Sequence, residues 1–291
     1  MNAVRAAAKQ AVQVVRYVWS HPANHGARSR ALLRAAAFQV RGRLHLGVVR
    51  ARVGNSLFLE APLHAASASK AVYANPPDWP EMQAWRRLLR PGDLFVDVGS
   101  NAGLYSVWAA DCGAVPIAVE PDPVNAQRTR RNLELNGVPV EVHECALGAE
   151  EGSMTFTVDD DSTNHLVTAS TSERTRAVDV RTLDSVLAGR RVRGIKIDVE
   201  GAERLVVEGG SATLGQQRVD ILQLEWNALS RTLLSESRDE VKNLLAEYGY
   251  RFCEPNPAND FALIPISPSP TRDADVFAVC PRLARELRIG K

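Results

Sequence analysis

Two short stretches of the chain combine residue types that can bind a nucleoside-like ligand and move a proton. The first runs from Asp97 to Gly103 as Asp-Val-Gly-Ser-Asn-Ala-Gly, between an apolar strand-like segment and a helix-like segment. Its glycines let the backbone approach a ligand closely, and the start of the helix supplies unpaired N–H donors. We therefore expect Asp97, Gly99, Ser100, Asn101 and Gly103 to contact a bound cofactor.

The spacing of this loop distinguishes between kinds of nucleoside cofactor. A dinucleotide site has the pattern GxGxxG, whereas here Asp97 replaces the first glycine and the spacing is DxGxxxG. A carboxylate beside a pyrophosphate is unfavourable, but it suits the ammonium and sulfonium groups of S-adenosylmethionine. Glu120 ends the next predicted strand, where it can accept hydrogen bonds from both ribose hydroxyls. Ala146, after the third strand, either borders the adenine or simply ends that strand.

The second stretch is a predicted central strand in which Lys196, Asp198 and Glu200 alternate with apolar residues. Alternate residues of a strand project from the same face, so the three charges lie along one side. Buried charges must pair, bind a ligand or lie at the end of the sheet, where ligands bind. Asp198 and Glu200 are therefore candidate catalytic residues, and Asp198 is also expected to contact the cofactor. Lys196 either pairs with them or contacts the substrate.

Glu225 ends the following predicted strand and would join Asp198 and Glu200 at the same edge. Three neighbouring carboxylates can raise the pKa of one of them enough to make a general base. They can equally hold Mg²⁺, although no spacing in the sequence specifies metal ligands, and we assign none. His165, in the polar loop 159–172, is either a solvated side chain or an additional base.

These residues require a framework, and the pattern from Asp93 onward supplies it. Apolar strands alternate with helices, which predicts a doubly wound, mostly parallel α/β sheet. The predicted strands are 94–98, 116–120, 140–145, 194–199, 220–225, 250–253 and 275–280. The predicted helices are 81–89, 103–112, 122–136, 182–189, 201–214 and 238–248. The last two strands predict an antiparallel hairpin at the edge of the sheet, and residues 153–158 and 176–180 predict an inserted hairpin.

Residues 1–80 are predicted to form a basic appendage to a domain of residues 81–291. Residues 1–59 contain ten Lys or Arg and no acid, which leaves 25 basic and 34 acidic residues in the remainder. The first 20 residues predict an amphipathic helix, residues 44–60 a hairpin turning at Gly54-Asn55, and residues 61–76 a loop. The helix would pack on its own body or a second subunit, rest on a membrane surface, or be a targeting peptide.

The bulk composition, with 45% hydrophobic and 24% charged residues, is ordinary for a soluble globular protein. No stretch reaches the roughly 18 uncharged apolar residues of a membrane span, so a spanning protein is not expected. The four cysteines are scattered, without metal-site spacing, and indicate reduced thiols in a cytoplasmic protein. The basic arm lacks the interleaved aromatic residues of nucleic-acid binders, so we expect a small-molecule partner and no nucleic acid. A homodimer is compatible with the amphipathic helix.

Taken in order, these motifs resemble the FkbM-type methyltransferase family. The matching segments are Pro91-Gly-Asp93, Asp97–Gly103, Glu120-Pro121-Asp-Pro123, the region around Asn132 and Asn136, and Ile195–Glu203. The resemblance implies a class I methyltransferase fold, Rossmann-like with a seven-stranded sheet. It also implies S-adenosylmethionine as cofactor, with Asp97, Gly99, Gly103, Glu120 and the adjacent Pro121 beside it.

The implied reaction is transfer of a methyl group to a hydroxyl oxygen of a sugar, polyketide or other secondary metabolite. In that reaction Asp198 or Glu200 would take the hydroxyl proton, and Glu225 and His165 would orient the acceptor. Two alternatives stay open. The chain could be a non-catalytic cofactor-binding module that its basic N-terminus recruits to a partner or membrane. It could also be an NAD-dependent oxidoreductase, which the DxGxxxG spacing disfavours.

Overall fold

In a computed structural model, the chain has an α/β fold built around a large β-sheet. The structure describes residues 2–61, 66–157, 175–226, 238–269, 271–272 and 274–290. The helices are α1 (Asn2–Ser20), α2 (Arg28–Arg43), α3 (Ala66–Tyr73), α4 (Trp79–Leu88), α5 (Leu104–Asp111), α6 (Pro123–Leu135), α7 (Leu183–Leu187), α8 (Glu203–Glu208), α9 (Ser211–Gly215), α10 (Arg238–Glu247) and α11 (Pro281–Glu286). The strands are β1 (Val49–Val53), β2 (Leu57–Ala61), β3 (Leu94–Val98), β4 (Val115–Val119), β5 (Val142–His143), β6 (Ala146–Leu147), β7 (Gly152–Thr157), β8 (Thr175–Arg181), β9 (Val192–Ile197), β10 (Val219–Leu224), β11 (Arg251–Asn256), β12 (Ala262–Pro265) and β13 (Val276–Val279).

The main sheet has the strand order β12-β11-β13-β10-β9-β3-β4-β5. The run from β10 to β5 is parallel, and β13 is antiparallel to both of its neighbours. This confirms the predicted Rossmann-like α/β class. The sheet has eight strands within the described residues rather than seven, because β12 adds an edge strand to β11. At four residues, β12 is too short for a pattern of alternation to reveal it.

The strand order reverses between β3 and β9. The chain passes from β3 to β4 and β5 in one direction, then returns to β9 beside β3 and continues to β10. Parallel crossovers are right-handed, so the helices of the two halves cover opposite faces of the sheet. The loops leaving β3 and β9 therefore diverge and open a crevice, and such a switch point is where ligands bind in this kind of sheet.

Several predicted elements differ from the structure for local physical reasons. The two predicted C-terminal strands correspond to β11 and β13, which pair antiparallel as expected. They do not form the edge of the sheet, because β13 lies between β10 and β11 and β12 pairs with the outer side of β11. The predicted strand 140–145 is shorter in the structure, because only β5 (residues 142–143) joins the main sheet and the chain then leaves it to form β6, which pairs with β8 in a smaller sheet. The predicted helix 201–214 is two helices that meet at Gly209-Gly210. A Cβ at Gly209 would lie 2.0 Å from the carbonyl oxygen of Gly148, so that break allows close packing.

The N-terminal appendage packs on the body of the chain. The predicted hairpin forms as β1 and β2, and β7 with β8 forms the predicted inserted hairpin. The prediction of a loop over 61–76 is wrong, because α3 occupies Ala66–Tyr73, where Ala68 and Ala71 are buried. Buried side chains of the appendage, such as Val18, Phe38 and Leu59, join the same apolar core as the sheet. A domain boundary at residue 80 stays a prediction.

Membrane-spanning capacity can be judged from the helices directly. Among the described residues, no helix combines the length and the apolar character needed to cross a bilayer.

Candidate active site

A cavity of about 300 Å³ lies at the carboxyl ends of β3, β4, β9 and β10. The predicted site residues that line it are Asp97, Gly99, Ser100, Asn101, Glu120, Pro121, Ala146, Lys196, Asp198, Glu200 and Glu225. Gly103 does not line the cavity. It begins α5 with a φ of 80°, and a Cβ there would lie 3.0 Å from a methyl carbon of Thr129 on α6. His165 lies outside the described residues, so its role stays a prediction.

Asp97 forms the floor of the cavity at the end of β3 and is only 1% exposed. Its Oδ2 accepts hydrogen bonds from the Ser106 backbone N–H at 2.9 Å and from the Ser106 hydroxyl at 2.7 Å. Its Oδ1 is buried and has no hydrogen-bond partner within the described residues. Burial raises the pKa of Asp97, while the Lys196 ammonium opposes that rise. A buried carboxylate oxygen without a partner is costly, and a cationic ligand in the cavity would satisfy it.

The loop after β3 is held by backbone hydrogen bonds to the neighbouring strand. The N–H groups of Gly99 and Ser100 both donate to the carbonyl of Val119, at 2.9 and 3.2 Å. Gly99 has a φ of 75° and its backbone lies directly against the carbonyl of Asp198, so a side chain has no room there. Asn101 also has a left-handed φ, of 49°. The loop is therefore a preformed cradle of main chain, in which Gly99 is required by its packing against Asp198, and the close ligand approach expected of its glycines stays a prediction.

Glu120 organises the second side of the cradle and is 5% exposed. Its Oε2 accepts a hydrogen bond from the Asn101 N–H at 2.7 Å, and its Oε1 accepts one from the Asp122 N–H at 3.0 Å. An ionised carboxylate has about four acceptor positions, so each oxygen keeps capacity for a ribose hydroxyl. Burial raises the pKa of Glu120 to about 7, although the two backbone N–H groups oppose the rise.

The charged strand β9 brings Lys196 and Asp198 together. Lys196 is 6% exposed, and its Nζ lies 2.6 Å from Asp198 Oδ2 and 4.7 Å from the centre of the Tyr105 ring. Burial alone would lower the pKa of Lys196, but the carboxylates of Asp198 and Asp97 raise it, so the ammonium stays charged. Burial acts to raise the pKa of Asp198, but Lys196 and a hydrogen bond with Glu225 lower it below its usual value. Lys196 thus pairs with the acids, one of the two roles predicted for it.

Glu200 follows this pair on a tight turn. It has a left-handed φ of 51°, and the turn is anchored by Glu203, whose Oε1 accepts the N–H of Gly201 at 3.2 Å. Glu203 is fully buried and forms an ion pair with Arg238 at 2.5 Å. Within the described residues, the Glu200 carboxylate has neither a hydrogen-bond nor an ion-pair partner. Burial, followed by the charges of Asp198 and Glu203, raises the pKa of Glu200 to about 7.

Glu225 completes a cluster of three carboxylates. One oxygen from each of Asp198, Glu200 and Glu225 lies within 4.8 Å of the other two. Burial and the two neighbouring carboxylates raise the pKa of Glu225 far above its usual value, so it keeps its proton at neutral pH. Its carboxyl in turn helps to lower the pKa of Asp198, and its Oε2 is buried without a hydrogen-bond partner among the described residues. The cluster therefore contains one ionised acid paired with lysine, one neutral acid and one acid that titrates near neutrality.

Other residues line the cavity although the sequence did not single them out. Lys70 on α3 and Asp78 before α4 form part of its wall, together with Tyr105, Asn125 and Phe156. Lys70 is close enough to Asp198 and Glu200 to lower the pKa of both carboxyls. Asn125 follows the Glu120-Pro-Asp-Pro motif by a few residues, which was an available signal. Lys70 and Asp78 carry no local signal, because they reach the site only through the folding of residues 1–80.

The motif residues Asn132 and Asn136 do not line the cavity but connect it to the appendage. Asn132 donates to the carbonyl of Ala102 in the cofactor loop at 2.8 Å and accepts the N–H of Glu60 on β2 at 2.8 Å. Asn136 exchanges two hydrogen bonds with the backbone of Phe58, at 2.9 and 2.7 Å. These side chains fix β2 against α6 and the loop.

Comparisons with known proteins agree with this geometry. A family model described as "Methyltransferase FkbM domain" matches residues 97–252, more than half of the chain. "Methyltransferase 1" of Beauveria bassiana is 31% identical over 147 residues, which cover 41% of this chain and 59% of that protein. "31-O-demethyl-FK506 methyltransferase FkbM" of Streptomyces tacrolimicus is 29% identical over 156 residues, or 49% of this chain and 60% of that protein.

The solved structures include a methyltransferase FkbM from Methylobacillus flagellatus KT. It is 17% identical with a TM-score of 0.43, and the alignment covers 86% of this chain and 60% of that one. The matched part of the chain spans about three fifths of the length of the two curated relatives named above. The match over residues 97–252 includes the cofactor cradle, the charged strand and the carboxylate cluster. The chain therefore belongs to the FkbM methyltransferase family.

Proposed function

We propose that this chain is an S-adenosylmethionine-dependent O-methyltransferase that acts on a hydroxyl group of a sugar, polyketide or other secondary metabolite. The observation that carries the proposal is Glu200, a carboxylate without a partner among the described residues, in the same cavity as a preformed cofactor cradle. The cradle accounts for the methyl donor, and Glu200 accounts for removal of the acceptor proton.

The residues of the cradle fit the cofactor group by group. The orphaned Asp97 Oδ1 matches a cationic ammonium, and the spare acceptor positions of Glu120 match two ribose hydroxyls. The absence of a side chain at Gly99 lets the loop after β3 pack against the Asp198 carbonyl, which brings the cradle beside the carboxylate cluster. When bound, S-adenosylmethionine supplies an activated methyl group on its sulfonium sulfur. The contribution of the protein is then to align the acceptor and remove its proton.

The three carboxyl groups of the cluster differ in protonation state and therefore have different roles in the proposed proton transfer. Asp198 is ionised but is a weak base, since Lys196 and the proton of Glu225 both stabilise its charge. Glu225 is neutral and can donate a hydrogen bond. Glu200 has a pKa of about 7 and is therefore matched to proton transfer at neutral pH. In the proposal, Glu200 takes the hydroxyl proton as the new carbon–oxygen bond forms, and Asp198 and Glu225 orient the acceptor.

Further support for a hydroxyl acceptor comes from the Streptomyces relative, whose name describes a methyltransferase of 31-O-demethyl-FK506. The proposal also includes action in the cytoplasm, which the four free cysteines support, since free thiols persist in a reducing compartment. Mg²⁺ is not part of the proposed mechanism. The ammonium of Lys196 already neutralises Asp198, the central member of the cluster.

Incubation of the protein with labelled S-adenosylmethionine and a panel of hydroxylated metabolites tests the proposal. The expected product is a methyl ether, identified by mass spectrometry and by the position of the label. Glu200→Gln should bind S-adenosylhomocysteine normally and form the product at least about 100-fold more slowly. A methyl group on nitrogen or carbon would refute O-methylation. Tight cofactor binding without turnover of any acceptor would favour the non-catalytic module, and binding of NAD instead would favour the oxidoreductase.

A further inference from the structure

The two N-terminal helices leave a stripe of apolar side chains in solvent. Residues three, four or seven positions apart lie on one side of a helix. The side chains at this spacing and their exposed fractions are Val12 (66%), Val15 (51%) and Trp19 (51%) on α1, and Leu33 (71%), Val40 (52%) and Leu44 (61%) on or beside α2. The other sides of these helices face the core, where Val18 and Phe38 are buried. The stripe is therefore the outer surface of the appendage.

Basic side chains accompany this stripe at a fixed spacing. An exposed Lys or Arg stands three positions before a residue of the stripe in four pairs, Lys9–Val12, Arg16–Trp19, Arg30–Leu33 and Arg41–Leu44. Residues three apart are neighbours on a helix surface, so each cation borders the apolar stripe. Among the described basic side chains of residues 1–59, Arg50 is the one that forms an ion pair, and its partner is Glu60.

The charge of the appendage identifies what could cover the stripe. Residues 1–59 contain ten basic residues and no acidic one. Two copies that met through this surface would bring two acid-free segments together, and the like charges would repel. An apolar stripe bordered by cations is instead the pattern of helices that lie in the headgroup region of an anionic bilayer. A half-exposed Trp19 suits the same region, because indole prefers the boundary between water and hydrocarbon.

We propose that α1 and α2 dock this protein on the surface of an anionic lipid membrane. The apolar stripe enters the headgroup region, and the bordering Lys and Arg side chains contact lipid phosphates. None of the stripe residues lines the cavity. Docking is therefore separate from methyl transfer and does not depend on the identity of the acceptor.

Vesicle flotation tests this proposal with the full chain. The protein should float with mixed phosphatidylcholine–phosphatidylglycerol vesicles and stay unbound with phosphatidylcholine alone, and high salt should release it. Two double variants, Val12→Glu with Val15→Glu and Leu33→Glu with Val40→Glu, should each bind the mixed vesicles at least about tenfold more weakly. Val140→Glu is the matched control, because Val140 is 42% exposed but lies outside the appendage, and its binding should equal that of the native chain.

Four results would overturn the proposal. The first is a native chain that fails to float with the anionic vesicles, and the second is flotation that neither double variant weakens. The third is a loss of flotation in Val140→Glu as large as that in the double variants. The fourth is a dimer, detected by light scattering, that Val12→Glu with Val15→Glu dissociates, which would assign the stripe to a second copy. Thermal unfolding and S-adenosylhomocysteine binding, measured on every variant, establish that lost flotation does not come from lost folding.

Discussion

The backbone of Gly99 lies against the main-chain carbonyl of Asp198, so that a Cβ at position 99 would stand 1.8 Å from the Asp198 oxygen. Gly99 belongs to the cofactor cradle that leaves β3, and Asp198 leaves the adjacent parallel strand β9. The loops that follow β3 and β9 leave the switch point of the sheet in different directions, but their backbones touch where Gly99 meets Asp198. The cofactor cradle and the carboxylate cluster are therefore one packed unit, and a change on one side displaces the other.

Gly99→Ala should disrupt this unit. A methyl group at 99 overlaps the Asp198 carbonyl and also forces an alanine into a φ of 75°. We expect the free energy of unfolding to fall by more than about 3 kcal/mol and cofactor binding to be lost. Gly92→Ala is the control, since it has a φ of 85° but open space around its Cβ, and it should cost only about 1–2 kcal/mol. Chemical denaturation of both variants checks this, and equal losses would contradict the contact.

Glu200→Gln should abolish proton transfer without weakening cofactor binding. In the native chain the base works only when ionised, and the pKa of Glu200 is about 7. The ratio kcat/KM should therefore fall about tenfold for each pH unit below 7 and level off above it. The variant should lose this acidic limb together with at least about 100-fold in kcat.

Glu247→Gln serves as the control for that experiment, because Glu247 is an exposed glutamate on α10, outside the cavity. Its pH profile should match that of the native chain. If Glu200→Gln keeps full turnover while Asp198→Asn loses it, then Asp198 is the base and Glu200 is not.

Lys196→Met should shift the pH profile upward. The Lys196 ammonium lowers the pKa of both Asp198 and Glu200, so its removal makes each carboxyl harder to ionise. The acidic limb of kcat/KM should therefore move to higher pH. Lys70→Met should move it in the same direction but less, since Lys70 is the weaker influence on Glu200. A profile that stays in place in Lys196→Met would show that the lysine does not tune the cluster.

Arg238→Met should destabilise the fold and loosen the turn that carries Glu200. The substitution leaves the fully buried Glu203 carboxylate without its ion pair, which typically costs about 3–5 kcal/mol. Arg90→Met removes an exposed pair with Glu286 instead, and should cost about 1 kcal/mol or less. Thermal and chemical unfolding distinguish the two, and a small loss in Arg238→Met would show that Glu203 is stabilised by other contacts.

Removal of divalent metal should leave methyl transfer unchanged. The three carboxylates lie close enough to hold a cation, but Lys196 and the proton of Glu225 already neutralise much of their charge. Activity measured after treatment with EDTA should therefore equal that of the untreated enzyme. A loss that added Mg²⁺ restores would establish the alternative in which the cluster is a metal site.

The sequence predicts the parts of the fold that depend on neighbouring residues. The predicted strand 94–98 coincides with β3, and the helix predicted over 238–248 differs from α10 by one residue at its end. The α/β class and the family are confirmed, because the apolar alternation and the glycine loop are local patterns. The functions of the site residues stay predictions. All of the predicted site residues except Gly103 and His165 nevertheless line one cavity.

The sequence does not predict features that depend on distant contacts. The shifted pKa values of Asp198 and Glu225 arise from burial, from each other's carboxyl and, for Asp198, from Lys196, none of which a linear pattern contains. The helix α3 escapes prediction because its small alanines carry little apolar periodicity and are buried through contacts distant in the sequence, with α2, β1, β2 and α5. Lys70 and Asp78 are missed for the same reason.

The end of α3 and its connection to α4 are held through backbone carbonyls by side chains from residues 21–34. Asn24 donates to the carbonyl of Tyr73 at 2.9 Å, Arg34 to that of Val72 at 2.6 Å, and the His21 ring lies 2.7 Å from the oxygen of Pro77. The segment from α3 to Asp78 carries the wall of the cavity formed by Lys70 and Asp78, outside the family match. In the proposed reaction, the wall formed by Lys70 and Asp78 would shape the acceptor pocket from outside the family match, whereas the donor cradle and the carboxylate cluster lie within it. An exchange of N-terminal segments between relatives would be a route to new acceptors with the donor chemistry inherited unchanged.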